Sequence, residues 1–432
     1  MTASEPTILI SGAGIAGPIV AYWLEQFGFS PTVVERAPAL RVGGHPVDLW
    51  GSAVEVVERM GVLPEIEAAS TRNDLGVMLS EGQRPVEIDL KRLVVEIADQ
   101  HIEIMRGRLV SVLYERTKAD VEYLFGNSIT ALDEGPGGVR VSFERGAPRE
   151  FALVIGADGQ HSNVRRLTFG EEARFSHYIG GYICGYTIPN YLKLDGRIPR
   201  YAVPNKTVAA FPIRQSNEIG VGFLFRRDKP LDVHHDDVDG QKQLLREMYA
   251  KVGWETPRLL DYLDESRDFY FDSFSQIRMD SWSRGRITLV GDAGYGPAPA
   301  IGGGTSLAAV AAYVLARELA EADGDYLVGL RNYQNAIEDA VIRSRDIGPA
   351  VLNTLIPQSR FAIWLGQHVA PLVLALPRTL QQWLPLLPRK ATGAMRAISA
   401  IPLKDYAPNH KHRAFATPMS SHADPSRPRG IR

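Results

Sequence analysis

Three groups of glycines and acids carry residue types that handle phosphates and sugars. The first is Gly12, Gly14 and Gly17 in the run Gly12-Ala13-Gly14-Ile15-Ala16-Gly17, with Glu35 eighteen residues past the last glycine. A glycine turn between a strand and a helix lets backbone N–H groups approach a pyrophosphate, and the helix N-terminus favours its charge. A carboxylate about 20 residues on can accept hydrogen bonds from an adenosine ribose. The second group is Gly156-Ala157-Asp158-Gly159, followed by Ser162 and Arg165. The third is Gly291-Asp292, closed by Pro299 and Gly302-Gly303-Gly304. Asp292 follows a strand, where a carboxylate can bond a ribityl hydroxyl. Three glycines before a long helix leave N–H groups and a positive dipole end free to stabilise a reduced flavin. The first group alone suits any dinucleotide; the set argues for FAD as the resident cofactor over a nicotinamide.

Elements of the right type flank these groups. Apolar runs at 7–10, 32–35, 152–155 and 287–290 read as buried parallel strands. The spacing predicts helices over 15–27, 51–61, 107–116, 239–252 and 305–320, with Gly28 ending the first. Strands at 208–213 and 219–225 read as a pair turned at Gln215-Ser216-Asn217, and Glu81-Gly82-Gln83 as a hairpin turn. The fold class is therefore α/β. A Rossmann-like FAD-binding domain with a parallel sheet is expected in three pieces (1–72, 101–175 and 277–345). A smaller β-rich substrate domain is expected in two (73–100 and 176–276). A C-terminal helical segment (346–415) and a disordered tail (416–432) follow. In the substrate domain Tyr182, Tyr186, Phe211 and Phe223 are candidates for an aromatic-binding wall. His177 or Arg214 could polarise a substrate phenol, but both read first as surface or structural groups, and no general base is assigned.

The bulk numbers narrow the class. The chain has 432 residues, 45% apolar and 23% charged, with a formal net charge of −2. That balance gives no basic field for nucleic acid or an anionic membrane. Cys184 is the only cysteine; it reads as a buried thiol, and no Cys/His spacing suits a metal. The N-terminal residues lack a signal-peptide pattern, so a cytoplasmic protein is expected. The apolar stretch 361–376 is short for a span and contains Pro371, which favours a packed helix.

In these motifs the chain resembles the class A FAD-dependent aromatic hydroxylases of the p-hydroxybenzoate hydroxylase type. Among them it is most similar to polyketide hydroxylases and tetracycline-inactivating monooxygenases. The matching segments are 8–36, 41–61 with Gly43-Gly44 and Val47-Asp48-Leu49, Met105-Arg106, 156–166 and 285–316. The resemblance implies that Glu35 binds the adenosine ribose, with Arg36 by the adenine. Arg106 would reach the flavin ribityl or phosphate side, and Asp158 would serve both FAD and the nicotinamide donor. Asp292 would hold the ribityl chain or pyrophosphate, Pro299 and Gly302 to Gly304 would line the isoalloxazine, and Arg41 and Asp48 would sit in a loop bordering the flavin. It also implies the reaction: NADPH or NADH reduces FAD, oxygen adds at flavin C4a, and the hydroperoxide gives one oxygen atom to an aromatic or polyketide-like substrate. With a single dinucleotide fingerprint, the donor would dock transiently on a monomer or homodimer. Two departures stand out. Gly294-Tyr295 replaces the usual Ala-His of the third motif, and Gly303 stands where many relatives carry a longer residue. The tryptophan signature of flavin halogenases is missing. The competing readings are an FAD dehydrogenase or reductase without oxygen insertion, and a non-catalytic flavin or ligand binder.

Overall fold

The strand Thr7–Ser11 is buried beyond its first residue and lies at the centre of a six-stranded sheet. The structure, a computed structural model, describes residues 5–40, 43–91, 100–233, 236–299, 303–375 and 401–405. Ser30–Glu35 and then Glu122–Phe125 flank the central strand on one side. Leu153–Gly156 and then Ile287–Leu289 flank it on the other. All these pairs are parallel, and the short edge strand Ser283–Arg284 is antiparallel. The direction of succession reverses beside Thr7–Ser11, so a crevice opens there at the carboxyl ends of the strands, where open α/β sheets bind ligands. The helix Ala16–Gln26 follows the first strand, and Gly28 with φ +87° ends it as expected. Helix Gly304–Glu321 packs on it and on Tyr326–Asp346 and is buried over most of its length.

A second sheet has seven strands, in the order Tyr270–Ile277, Ser176–Pro189, Glu218–Arg226, Lys206–Pro212, Arg197–Val203, Leu75–Leu79 and Val86–Asp89. The hairpin expected around Gly82 and the turn expected near Gln215 both form. Side chains alternate across this sheet. Tyr182, Cys184, Tyr186, Val221, Phe223 and Phe225 face helices Val238–Tyr249 and Thr256–Asp261, closing a core of their own. Cys184 is buried in it, as expected. The opposite face turns toward the first sheet. A two-stranded pair, Pro46–Trp50 with His101–Met105, was not legible in the pattern and packs against Gly304–Glu321.

Toward the C-terminus, helix Arg360–Ala375 lies against Val86–Asp89 and Arg197–Val203, and Ser80 Oγ donates to Gln367 Oε1 at 2.8 Å. Ile401 accepts a hydrogen bond from Ser52 Oγ, which brings the chain back to the first unit. Residues 416–432, read as a disordered tail, lie outside the described residues. Among the described residues no helix is long and apolar enough to cross a membrane, and no group of His, Cys, Asp and Glu is arranged to hold a metal.

Candidate cofactor and substrate site

Register brings the three motifs together. Ser11 pairs with Gly156, and Gly156 with Leu289, so each glycine-and-acid corner leaves the same end of neighbouring strands. Gly12 has φ +106°, and a Cβ there would stand 2.6 Å from the carbonyl oxygen of Ala157. A Cβ on Gly17 would overlap the carbonyl oxygen of Gly12. Gly14 differs: the nearest atom to its Cβ position is Arg106 Nη2 at 3.7 Å, so the turn is open to an incoming group under a guanidinium. Glu35 accepts from the N–H groups of Ala13 and Ala37, both at 2.9 Å, and so holds the turn from below. Ile15 and Ala16 begin the helix with no side-chain cap and no acid in its first turn. Arg36 is exposed beside Glu35.

Asp158 spends its carboxylate inward. It accepts from Ser11 Oγ at 3.2 Å, Ser162 Oγ, and the N–H groups of Asn163 at 3.0 Å and Val164 at 3.1 Å. Burial pushes its pKa up and these donors pull it back. Ser162 caps the helix Asn163–Phe169 through Arg165 N–H, as expected. Arg165 is fully buried and joins the second motif to the third. Its guanidinium donates to Ala293 O at 2.9 Å, Gln160 O at 2.6 Å and Glu172 at 2.8 Å.

In the third motif Gly291 has φ +66° and packs between Ala308 and Ala16, where a Cβ would lie 3.2 and 3.7 Å from their Cβ atoms. Asp292 is open to the crevice; burial pushes its carboxyl up and Arg106 pulls it down. Gly303, φ +80°, caps Gly304–Glu321 without a side-chain bond, leaving that N-terminus free beside a partly buried Pro299. Gly302 and Arg41 lie outside the described residues. Asp48 sits in the strand Pro46–Trp50 and not in a loop, because that segment pairs with His101–Met105. Its carboxylate is 2.7 Å from His101 Nε2, and its backbone oxygen accepts from Ser306 Oγ at 2.9 Å.

Five residues without a sequence signal complete the crevice. His45 is pushed down to about 4, first by burial and then by Arg106, so its ring is neutral at neutral pH. Its ring centroid is 5.4 Å from that of Tyr270, whose phenol donates to Asp272 at 3.2 Å. Gln160 donates to Asp272 at 3.2 Å as well. His161 lies 3.7 Å from Asp272 and 3.0 Å from Glu172, and these two partners push it up to about 10.

The facing surface of the second sheet is a bare track. One cross-strand row runs Tyr270, Gly185, Gly222, Ala209, Arg200. Four strand spacings make it about 19 Å long. Glycines leave it without side chains over two strands, and a Cβ on Gly222 would meet nothing nearer than Leu224 Cδ1 at 4.0 Å. Phe211 lies on this face over Gly220. The other three expected wall residues do not. Tyr182 is bonded to Leu231 N–H at 2.7 Å, Tyr186 donates to Leu259 O at 2.8 Å, and Phe223 packs edge-on against Tyr249 at 5.0 Å, all under the helices of the opposite face. Arg200 ends the track. It donates to the last carbonyls of helix Gly348–Leu355, at Thr354 and Leu355, and has no carboxylate partner among the described residues. Burial alone brings it down to about 10, so it stays charged. The sequence signal for this floor was the alternation of glycines at 220 and 222 opposite Gly185.

Comparison with known proteins points to the same cofactor. The profile of the FAD binding domain family matches residues 5–325. A flavin-dependent monooxygenase of Legionella longbeachae serogroup 1 is 35% identical over 379 residues, covering 88% of this chain and 97% of its own. An uncharacterized protein of Mycobacterium tuberculosis is 41% identical over 341 residues, covering 78% of this chain and 91% of its own. The crystal structure of tetracycline destructase Tet(51) superimposes with a TM-score of 0.79 at 32% identity, covering 93% of this chain and all of that one. The chain belongs to the FAD-binding domain family and is a flavin-dependent monooxygenase.

Proposed function

We propose that the protein uses FAD, NADPH or NADH, and O2 to insert one oxygen atom into a flat aromatic or polyketide-like molecule. The observation that carries this reading is the placement of the three converged motifs opposite a glycine-floored track. The pyrophosphate of FAD fits the Gly12–Gly17 turn between its open Gly14 and the Arg106 guanidinium. Glu35 faces the adenosine ribose, with Arg36 toward the adenine. Asp292, beside Arg106, suits the ribityl hydroxyls, and Pro299 with Gly303 and Gly304 suits the isoalloxazine edge. Asp158 acts through Ser162 and its helix as a positioning residue. Bound FAD supplies the redox chemistry, accepting a hydride from the nicotinamide and activating O2 for transfer to substrate. The free N-terminus of Gly304–Glu321 stabilises negative charge on the cofactor. Gly185 and Gly222 admit a planar ring system, Phe211 packs on its edge, and Arg200, with no carboxylate partner among the described residues, meets an anionic or carbonyl oxygen at its far end. Helices Gly348–Leu355 and Arg360–Ala375 keep water from that end. The nicotinamide donor is supplied inside the cell, which supports a cytoplasmic location.

The test is a visible spectrum of the purified protein, then NAD(P)H oxidation with polycyclic phenols under oxygen-18. The expected outcome is a yellow protein, oxidation stimulated by substrate, and one labelled oxygen in the product. A colourless protein that does not take up FAD refutes the reading. Turnover without label assigns the chain to dehydrogenation or reduction instead.

A further inference from the structure

A separate cleft of about 800 Å³ opens between helix Arg106–Thr117 and the strand ends of the second sheet. Its size is that of a small-molecule site. It is not the substrate track: its walls include Thr187 and the turn at 213–216, but not Gly185, Gly222 or Arg200. Its inner wall is Gly43, where a Cβ would stand 2.7 Å from Asp268 Oδ2. The next residue, Gly44, lies against Arg106, whose guanidinium covers the phosphate turn at Gly14. One loop therefore separates this cleft from the cofactor crevice.

Three arginines from three segments line it: Arg108, Arg214 and Arg267. Arg214 is fixed by the carbonyls of Ala68 and Ser70. Arg108 and Arg267 are exposed and make no ion pair or hydrogen bond among the described residues. The carboxylates on the same walls are largely committed. Asp268 accepts from Thr187 N–H and Oγ1, and Glu218 from Ser216 Oγ, which leaves Glu265. Guanidinium forks suit the paired oxygens of a phosphate. A near balance of charge suits a ligand that must leave at every turnover.

We propose that this cleft docks the nicotinamide donor, with Arg108 and Arg267 gripping its diphosphate and the Gly43–Gly44 loop as the side from which it approaches the cofactor. The proposal rests on the monooxygenase reading, which requires such a donor and gives it no second glycine turn.

The test uses the FAD-loaded protein and calorimetric titration with NADP+ and NAD+, together with donor and substrate KM values. In the double variant Arg108→Ala, Arg267→Ala, NADP+ or NAD+ binding weakens at least tenfold and donor KM rises in step, while FAD content and substrate KM stay at wild-type values. Ser111→Glu, which sets a carboxylate in the same cleft, has the same effect. Donor binding within twofold of wild type in both variants overturns the proposal. So does a rise confined to substrate KM, which makes the cleft a substrate entrance. A wild-type protein that binds dinucleotide and loses it in the variants, yet oxidises NAD(P)H without labelling any product, upholds the docking site and removes the monooxygenase reading alone.

Discussion

Arg165 ties the corner at Asp158 to the corner at Asp292, because its buried guanidinium bonds Gln160 O, Glu172 and Ala293 O at once. In Arg165→Met two carbonyls lose a charged donor out of reach of water. A loss of about 3 kcal/mol is expected in denaturant unfolding, together with weaker FAD retention on gel filtration. Arg165→Lys does not restore it, since an ammonium has no planar fork. His161 gives a pH signature. Its folded pKa of about 10 lies above the unfolded value near 6.5. The stabilisation from its pairing with Asp272 and Glu172 is therefore fully present below about pH 6.5 and is lost as pH rises toward 10. The stability gap between wild type and His161→Gln should shrink across that window in denaturant melts, and a gap that grows would reverse the assignment. Ser162 and Arg165 were legible in the sequence as neighbours of the second motif, but Ala293, the partner through which Arg165 reaches the third motif, is 128 residues away in the chain. The aromatics misled for a related reason. Alternation shows that Tyr182 and Tyr186 share a face, yet both faces of this sheet are covered, one by helices and one by the cofactor unit. Nothing local says which cover is which.

The glycine turn and its helix form one element, and each glycine in it answers a different demand. Gly17→Val drives a side chain into the Gly12 carbonyl and forces the helix off the first strand. The expected result is a protein without flavin absorbance, read directly in the visible spectrum. The parallel strands and their helices were legible because each is a short apolar run bounded by glycine or a cap, and both long helices beside the crevice carry unbroken apolar faces. The strand Ser176–Pro189 was legible only around Tyr182 and Tyr186 and not in its bounds, because Gly180, Gly181 and Gly185 interrupt its pattern and a bulge lies between Tyr178 and Tyr182. The pair of Pro46–Trp50 with His101–Met105 joins segments about fifty residues apart and buries mixed polar groups, among them Asp48 and His101. Its register is set by tertiary contact, Ser306 bonding both Asp48 O and Trp50 N–H.

At the scale of the whole molecule, two units meet over a space that a flat ligand fills. Gly222 stands on ordinary extended backbone with open space above it, so Gly222→Ile leaves the fold and FAD content intact while filling the track. Substrate-stimulated NAD(P)H oxidation should fall at least tenfold, with the flavin spectrum unchanged. Arg200→Met should raise substrate KM by roughly 10- to 100-fold, the worth of one charged hydrogen bond of about 1.5–3 kcal/mol, and leave the donor KM alone. The buried Cys184 has a further consequence. Burial raises its thiol well above the usual range, which suppresses the reactive thiolate. The native chain thus offers labelling reagents no competing target. Cysteines installed at Ser111 and Ser266, on facing sides of the cleft, would be the two reactive thiols in the molecule, and paired spin labels on them would report in ångströms how far the units separate during turnover.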